Sequence, residues 1–339
     1  MISTNTIRRL MRHENISLFL VLLFIVVVFA VVELFGIRGG NLSKVAFIQP
    51  RNISNVLMQI STTGILALSM CLIMISGGID LSIGQMMSFL GTAMATLLRV
   101  YGFSELGMVL TGLALAFVLQ LFMGYLISRT KLEPFIVSLA FMTIYKGLTY
   151  LISNGSEITI TDKFTFIGQT YLSITDRFRI GMPVILLIGL SIIMSMTLKY
   201  TKFGRKVYAV GGNSNAAYLA GIDVKNHKML LYGLNGLFVA IATMSLMSRI
   251  GVGSPLMGEG KEIDVIAAVV VGGTALSGGK GNIWGTLIGV LLLGIISNAL
   301  NILGVAPYWQ YIMSGTLILV AVVLSYLNSM RTTTATANK

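Results

Sequence analysis

The chain has 339 residues, of which 55% are hydrophobic and only 11% charged, whereas about a quarter of an ordinary soluble domain is charged. That composition excludes one water-soluble core, which rarely grows beyond roughly 250–300 residues in any case. The net charge of +12 does not point to nucleic acid, because the basic residues occupy short segments between apolar runs rather than one stripe.

Arg8, Arg9 and Arg12 precede a first apolar run at 16–36. This run is too long for a signal-peptide core and is followed by no small-residue cleavage site, so it reads as a retained first span. A bilayer core needs about 20 apolar residues per helix. Further runs follow at about 53–75, 84–101, 107–127, 135–153, 181–198, 229–249, 264–277, 282–300 and 310–328. The runs at 84–101 and 264–277 adjoin glycine-rich breaks, which are expected to leave them short, tilted or discontinuous. The predicted fold is all-α: a polytopic membrane protein of about ten transmembrane helices, forming one membrane domain over 1–339.

Orientation follows from the loops. With the N-terminus inside, interior segments hold Arg129, Lys131, Lys199, Lys202, Arg205, Lys206, Lys225, Lys228, Lys280 and Arg331. Exterior ones hold Glu105, Glu157, Asp162, Asp176, Glu259 and Glu262, the bias expected of an inner-membrane protein. Both termini are then cytoplasmic. The segment 154–180 is a long exterior loop suited to covering an outer mouth or meeting an extracytoplasmic partner, and 251–262 is a glycine-rich exterior turn.

Three segments carry candidate function. The first, SGGIDLSIGQ at 76–85, is a polar break between two spans. Asp80 either caps a helix in water or faces protein or a cavity at membrane depth, and the two readings are even. The second, GGTALSGGKG at 272–281, shares glycine, glycine, leucine, serine and glycine in register with GGIDLSIG at 77–84. Many transporters combine internal repeats with broken helices at the substrate path. The path candidates are therefore Gly77, Gly78, Asp80, Ser82, Gln85, Gly272, Gly273, Ser277 and Asn298. The sequence before Lys280 fails the phosphate-loop pattern, since Gly279 intervenes and Gly281 replaces Ser or Thr. The third segment, 199–228, is too polar to span. Asn213 or Ser214 is positioned to cap a short helix carrying Ala216, Ala217, Leu219 and Ala220, ended by Gly221. Such a helix suits either a partner's groove or a lipid surface.

Other polar residues within the runs, Gln120, Lys146, Asn235, Asn298 and Asn301, fit interhelical hydrogen bonding better than substrate contact. The lone Cys71 allows no intramolecular disulfide. With only His13 and His227, neither a metal site nor a histidine-based triad is supported. No cofactor and no covalent chemistry are expected.

SGGIDLSIG at 76–84, TKFGRKVYAVGGNSNAAYLAGI at 201–222, EIDVIAAVVVGGTALSGGKGNIWGTLIG at 262–289 and NALNILGVAPYWQYI at 298–312 resemble the permease family of bacterial ATP-binding-cassette importers for ribose, galactose and related monosaccharides. The resemblance covers about 50–328, in family order; EID at 262–264 stands where many members read ELD. It implies a homodimeric or paralogous pair of permeases in membrane lipid, a cytoplasmic ATPase pair and an extracytoplasmic sugar-binding protein. It also implies that 199–228 holds the ATPase-coupling element, with Gly204, Arg205, Gly211, Gly212, Asn213, Ala216, Ala217 and Gly221 carrying that role. Ribose is the first expectation for the solute and galactose the second. Alternatives are a related permease for autoinducer-2, a nucleoside or a branched-chain amino acid, or, in a different class, an ion-coupled secondary carrier.

Overall fold

The computed structural model describes residues 14–36, 45–130, 132–160, 163–175, 178–306 and, intermittently, 308–319. Its first helix, α1 (Glu14–Gly36), exposes Phe24 and Phe35. On its inner side Glu33 accepts hydrogen bonds from the Ala46 and Phe47 amides at 2.8 and 2.9 Å. That carboxylate pins α1 to the turn before α2 (Pro50–Ile75). Pro50 opens α2 where its missing N–H costs no helical bond. From Ile60 to Ile75 this helix is almost wholly buried, so α2 is the post around which the others stand.

Next come α3 (Ile83–Arg99), α4 (Glu105–Arg129) and α5 (Pro134–Ser153). Small residues set the closest packing, between α4 and α10 (Val224–Ile250). Gly124 sits on Met229 and Tyr232, and Gly236 on the Ala116 backbone. Close backbone approach of this kind replaces the missing hydrophobic drive between helices in lipid. Helix α12 (Ile283–Ile302) packs on α1, α2 and α11 (Lys261–Val271). Seven helices among the described residues are long and apolar enough to cross a membrane. The runs expected to be interrupted are short: α3 has 17 residues and α11 has 11. The final expected run, 310–328, lies mainly outside the described residues, and Lys131, Asp162, Asp176, Lys339 and the N-terminal arginines lie outside them altogether.

Among the described residues, segments that the charge rule assigns to one side lie at one end of the bundle, except 258–262, expected outside, which reaches down to the start of α3. At the outer end, β1 (Ile158–Thr159) pairs antiparallel with β4 (Val252–Gly253), joining the two exterior loops. Between them in sequence, a short helix α6 (Phe166–Gln169) leads into a hairpin of β2 (Tyr171–Thr175) and β3 (Phe178–Gly181). The long loop is held down on α10 by Ser248, whose hydroxyl accepts from the Gly168 amide and donates to the Phe164 carbonyl. At the inner end, α7 (Met182–Tyr200) is followed by α8 (Lys202–Gly212) and α9 (Ser214–Leu219).

Candidate functional site

Asp80 is buried, not in water. After α2 ends at Ile75 the chain turns back into the bundle. Asp80 Oδ1 accepts from the Ser82 amide (2.8 Å) and hydroxyl (2.6 Å). Its Oδ2 accepts from Gln120 Nε2 (3.0 Å) and Asn235 Nδ2 (2.7 Å), and Asn235 Oδ1 in turn accepts from Ser69 Oγ at 2.6 Å. Gln120 lies nine residues from the inner end of α4 and Asn235 eleven from that of α10, a depth of about 14–16 Å. The carboxylate therefore stands near the middle of α4 and α10, satisfied by neutral donors from Ser82, Gln120 and Asn235. Of the two readings of the sequence, the one that faces Asp80 to protein at depth holds: the cap position of α3 is Ser82 and no side chain caps that helix.

Besides the seven long apolar helices, two interrupted routes run along the bundle. The stretch 76–82 plus α3 carries the chain outward, and 251–260 plus α11 carries it back. The breaks meet: Gly84 at the start of α3 lies against Gly258 and the Glu262 carboxylate. From there α3 rises about 22 Å to Arg99 and α11 descends about 15 Å to Val271.

Both glycine-rich turns begin with the same helix stop. Gly77 N–H bonds Met74 O and Gly78 N–H bonds Ile73 O; Gly273 N–H bonds Val270 O and Thr274 N–H bonds Val269 O. In each, the left-handed residue is a glycine, Gly77 at φ 80° and Gly273 at φ 90°, the Schellman arrangement. The equivalence pairs Gly77 with Gly273, one residue away from the alignment of the two motifs in sequence, which pairs Gly77 with Gly272. The in-register match is corrected on this point: the shared feature is the cap, placed one residue later in the second turn.

Helix α8 lies across the inner end with Val207 and Val210 buried and Arg205 and Lys206 exposed. Gly211 is so close to the Ile75 carbonyl and the Gly279 amide that no Cβ fits, and Gly278 rests on Gly77 and Gly211. Gly279 N–H bonds Ile75 O at 2.8 Å, and Tyr208 Oη donates to Gly281 O at 2.8 Å. The ends of α2, α8 and the turn before α12 thus form one backbone-to-backbone junction. Gly204 packs with equal closeness on the Leu198 backbone. Asn213 caps α9 by accepting from the Ala216 amide at 2.9 Å. Gly221, at φ 81°, ends the turn that follows. Ala217 faces inward, 4% exposed, while Tyr218 and Leu219 are 71% and 84% exposed. The outward face of α9 is therefore not the one that Ala217 marks.

The path candidates do not converge on one cavity. Gly78, Asp80, Ser82 and Gln85 are interior; Gly272 packs against Gly285 and Thr286; Gly77, Gly273 and Ser277 are exposed near the inner end. Asn298 is near the outer end of α12, where its amide and that of Asn52 exchange two hydrogen bonds of 2.8 and 3.0 Å. Sequence reasoning missed a polar stripe on α2, Asn52, Asn55, Gln59 and Thr63. Its 3-4-4 spacing on one helical face is a legible signal in a mainly apolar span. Lys146 is exposed on α5, seven residues from its outer end, within reach of the interface by snorkelling.

Residues 52–322 match the protein family described as branched-chain amino acid transport system, permease component. The ribose import permease protein RbsC of Bacillus subtilis is 39% identical over 82% of this chain and 86% of the relative. The corresponding protein of Escherichia coli K12 is 35% identical over 82% and 86%. The xylose transport system permease protein XylH of Haemophilus influenzae is 31% identical over 95% and 99%. No solved structure matches the chain. With a multi-pass apolar bundle, a family match across four-fifths of its length and relatives aligned over 82–95% of it, the chain belongs to this family of membrane transport permeases.

Proposed function

We propose that this permease is the membrane subunit of an ATP-driven importer that carries a pentose, ribose foremost, into the cytoplasm. The carrying observation is its 39% identity to a ribose import permease over most of both chains. The second sugar named among the relatives is xylose, so xylose replaces galactose as the next reading. The family description's own words favour a branched-chain amino acid as the remaining alternative.

The importer works with a cytoplasmic ATPase pair, an extracytoplasmic binding protein and a second permease, most simply another copy of this chain in a ten-span arrangement. Residues 199–228 couple the ATPase to the bundle. What supports this is the seat of α8: Gly211 touches the end of α2 and the turn before α12 at backbone level, where no flexible side chain can absorb a displacement. ATPase closure would push on the exposed faces of α8 and α9 and shift the inner ends of α2 and α12 together. The permease itself catalyses no covalent step.

The test is uptake of labelled ribose into vesicles holding the complete importer. Uptake is expected to need both ATP and the binding protein and to survive collapse of ion gradients. Uptake that follows an ion gradient without ATP would leave a secondary carrier instead.

A further inference from the structure

Two charged residues stand at membrane depth without being enclosed. Lys261 and Asp264 occupy the first turn of α11, where the interrupted routes meet, and form an ion pair of 3.8 Å with side chains 30% and 44% exposed. Ser314 Oγ lies 3.4 Å from the other Asp264 oxygen. Charged groups at this depth face water or protein rather than lipid tails. Facing them across a groove are Gln59 and Thr63 of α2, one turn apart, and Ser297 of α12. Gln59 is exposed although most of α2 is buried. It lies nine residues, about 14 Å, below the outer end of its helix. The groove encloses about 130 Å³, room for several waters or a small polar solute. Ala268 and Gly294 are among its small lining residues, and the Asn52–Asn298 amide pair stands above it toward the outer end.

We propose that this groove, lined by Gln59, Thr63, Lys261, Asp264, Ser297 and Ser314, is the permease's share of the path followed by a neutral polyhydroxylated solute. The inference rests on the importer reading above. The amide and hydroxyl groups both donate and accept hydrogen bonds, the carboxylate accepts and the ammonium donates, so together they match a ring of sugar hydroxyls. Each contact exchanges one hydrogen bond to water for another, so the net gain is small. A path that must release its cargo needs such weak contacts. The Lys261–Asp264 pair neutralises its own charge, leaving a polar wall with no net attraction for ions. The path thereby moves away from the buried Asp80 carboxylate, both of whose oxygens already accept hydrogen bonds from Ser82, Gln120 and Asn235.

The test uses the complete importer in proteoliposomes, with Cys71→Ala as the cysteine-free background and Gln59→Cys, Thr63→Cys and Ser297→Cys introduced singly. Ile193→Cys, on the exposed face of α7, is the lipid-facing control. A charged, membrane-impermeant methanethiosulfonate is expected to label the three groove positions at least about tenfold faster than the control and to abolish ATP-driven uptake. Transported sugar should slow the labelling during turnover. Labelling no faster than the control, or full uptake by labelled protein, overturns the groove as path. So does quantitative crosslinking of Gln59→Cys between two permease copies with uptake intact, which would make the groove a subunit contact. Loss of ATP dependence in the unlabelled background would instead sink the importer reading, so the two failures are distinguishable.

Discussion

The turns at 76–84 and 272–281 begin alike and end differently. Each stops a helix with a left-handed glycine and the same pair of backbone bonds. Beyond the cap, the first turns back to mid-depth because Asp80 finds Gln120 and Asn235 there. The second has Ala275 at the position structurally equivalent to Ile79 and Leu276 at that of Asp80. It closes on itself through Ala275 N–H to Lys280 O and Gly278 N–H to Ala275 O, and stays at the inner end. Glycine pattern therefore encodes where a helix stops, and a single acid with distant partners decides where the chain goes next.

The comparison is most easily broken at Asp80. Asp80→Ala would leave the Asn235 side-chain amide and the Ser82 backbone amide buried without an acceptor, each costing about 1–3 kcal/mol, while the Gln120 amide would keep only Ser82 Oγ and Met86 Sδ. Thermal unfolding of purified protein should show a loss larger than that of Gly211→Ala, Gly77→Ala or Gly273→Ala. Asp80→Asn keeps one acceptor oxygen and should lose less. Equal stability of wild type and Asp80→Ala would show that the cluster does not hold the turned-back chain in place.

The junction beneath the two turns offers the next test. Gly211→Ala drives a Cβ into the Ile75 carbonyl and the Gly279 amide, whereas Gly212→Ala meets nothing within 4 Å. Overpacking against backbone should cost Gly211→Ala about 1–3 kcal/mol and impair uptake. The neighbouring change should be neutral or stabilise by up to ~1 kcal/mol. If the two variants unfold at the same temperature, the three-way contact is not tight.

The caps themselves can be compared directly. Neither Gly77 nor Gly273 is crowded, so alanine at either position costs only the left-handed backbone, about 1–2 kcal/mol. Equivalent caps predict equal losses in thermal unfolding. A twofold or larger disparity between the two losses would show that the shared hydrogen bonds hide different strain.

Much of this architecture is legible in the sequence. The apolar runs mark the helices, the loop charges sort their ends, and Asn213 and Gly221 mark the limits of α9 because capping is local chemistry. Less is legible where meaning depends on who lies opposite. Gln120 and Asn235 read as generic interhelical polar residues, and only the fold puts Asp80 between them. The repeat aligns one residue out because glycines outnumber the positions that need positive φ. Ala217 reads as part of a partner-facing helix, since six residues give too little periodicity to fix which side is buried.

That last point sets the finest prediction. α9 presents Tyr218 and Leu219 to solvent and turns Ala217 to the protein, so the two kinds of change should separate folding from docking. Ala217→Arg places a long cation into a buried site and should lower stability whether or not the ATPase is present. Leu219→Asp alters a side chain 84% exposed and should leave stability within about 0.5 kcal/mol. It would nevertheless put a charge where an apolar knob meets a groove, and so should reduce co-purification of the ATPase and its stimulated activity in lipid. A permease that binds the ATPase normally with Leu219→Asp would remove α9 from the contact and leave the exposed face of α8, with Arg205 and Lys206, as the surface that receives the push. If α8 carries the contact, Arg205→Glu should instead weaken ATPase binding, in a manner sensitive to salt as exposed charge pairs are.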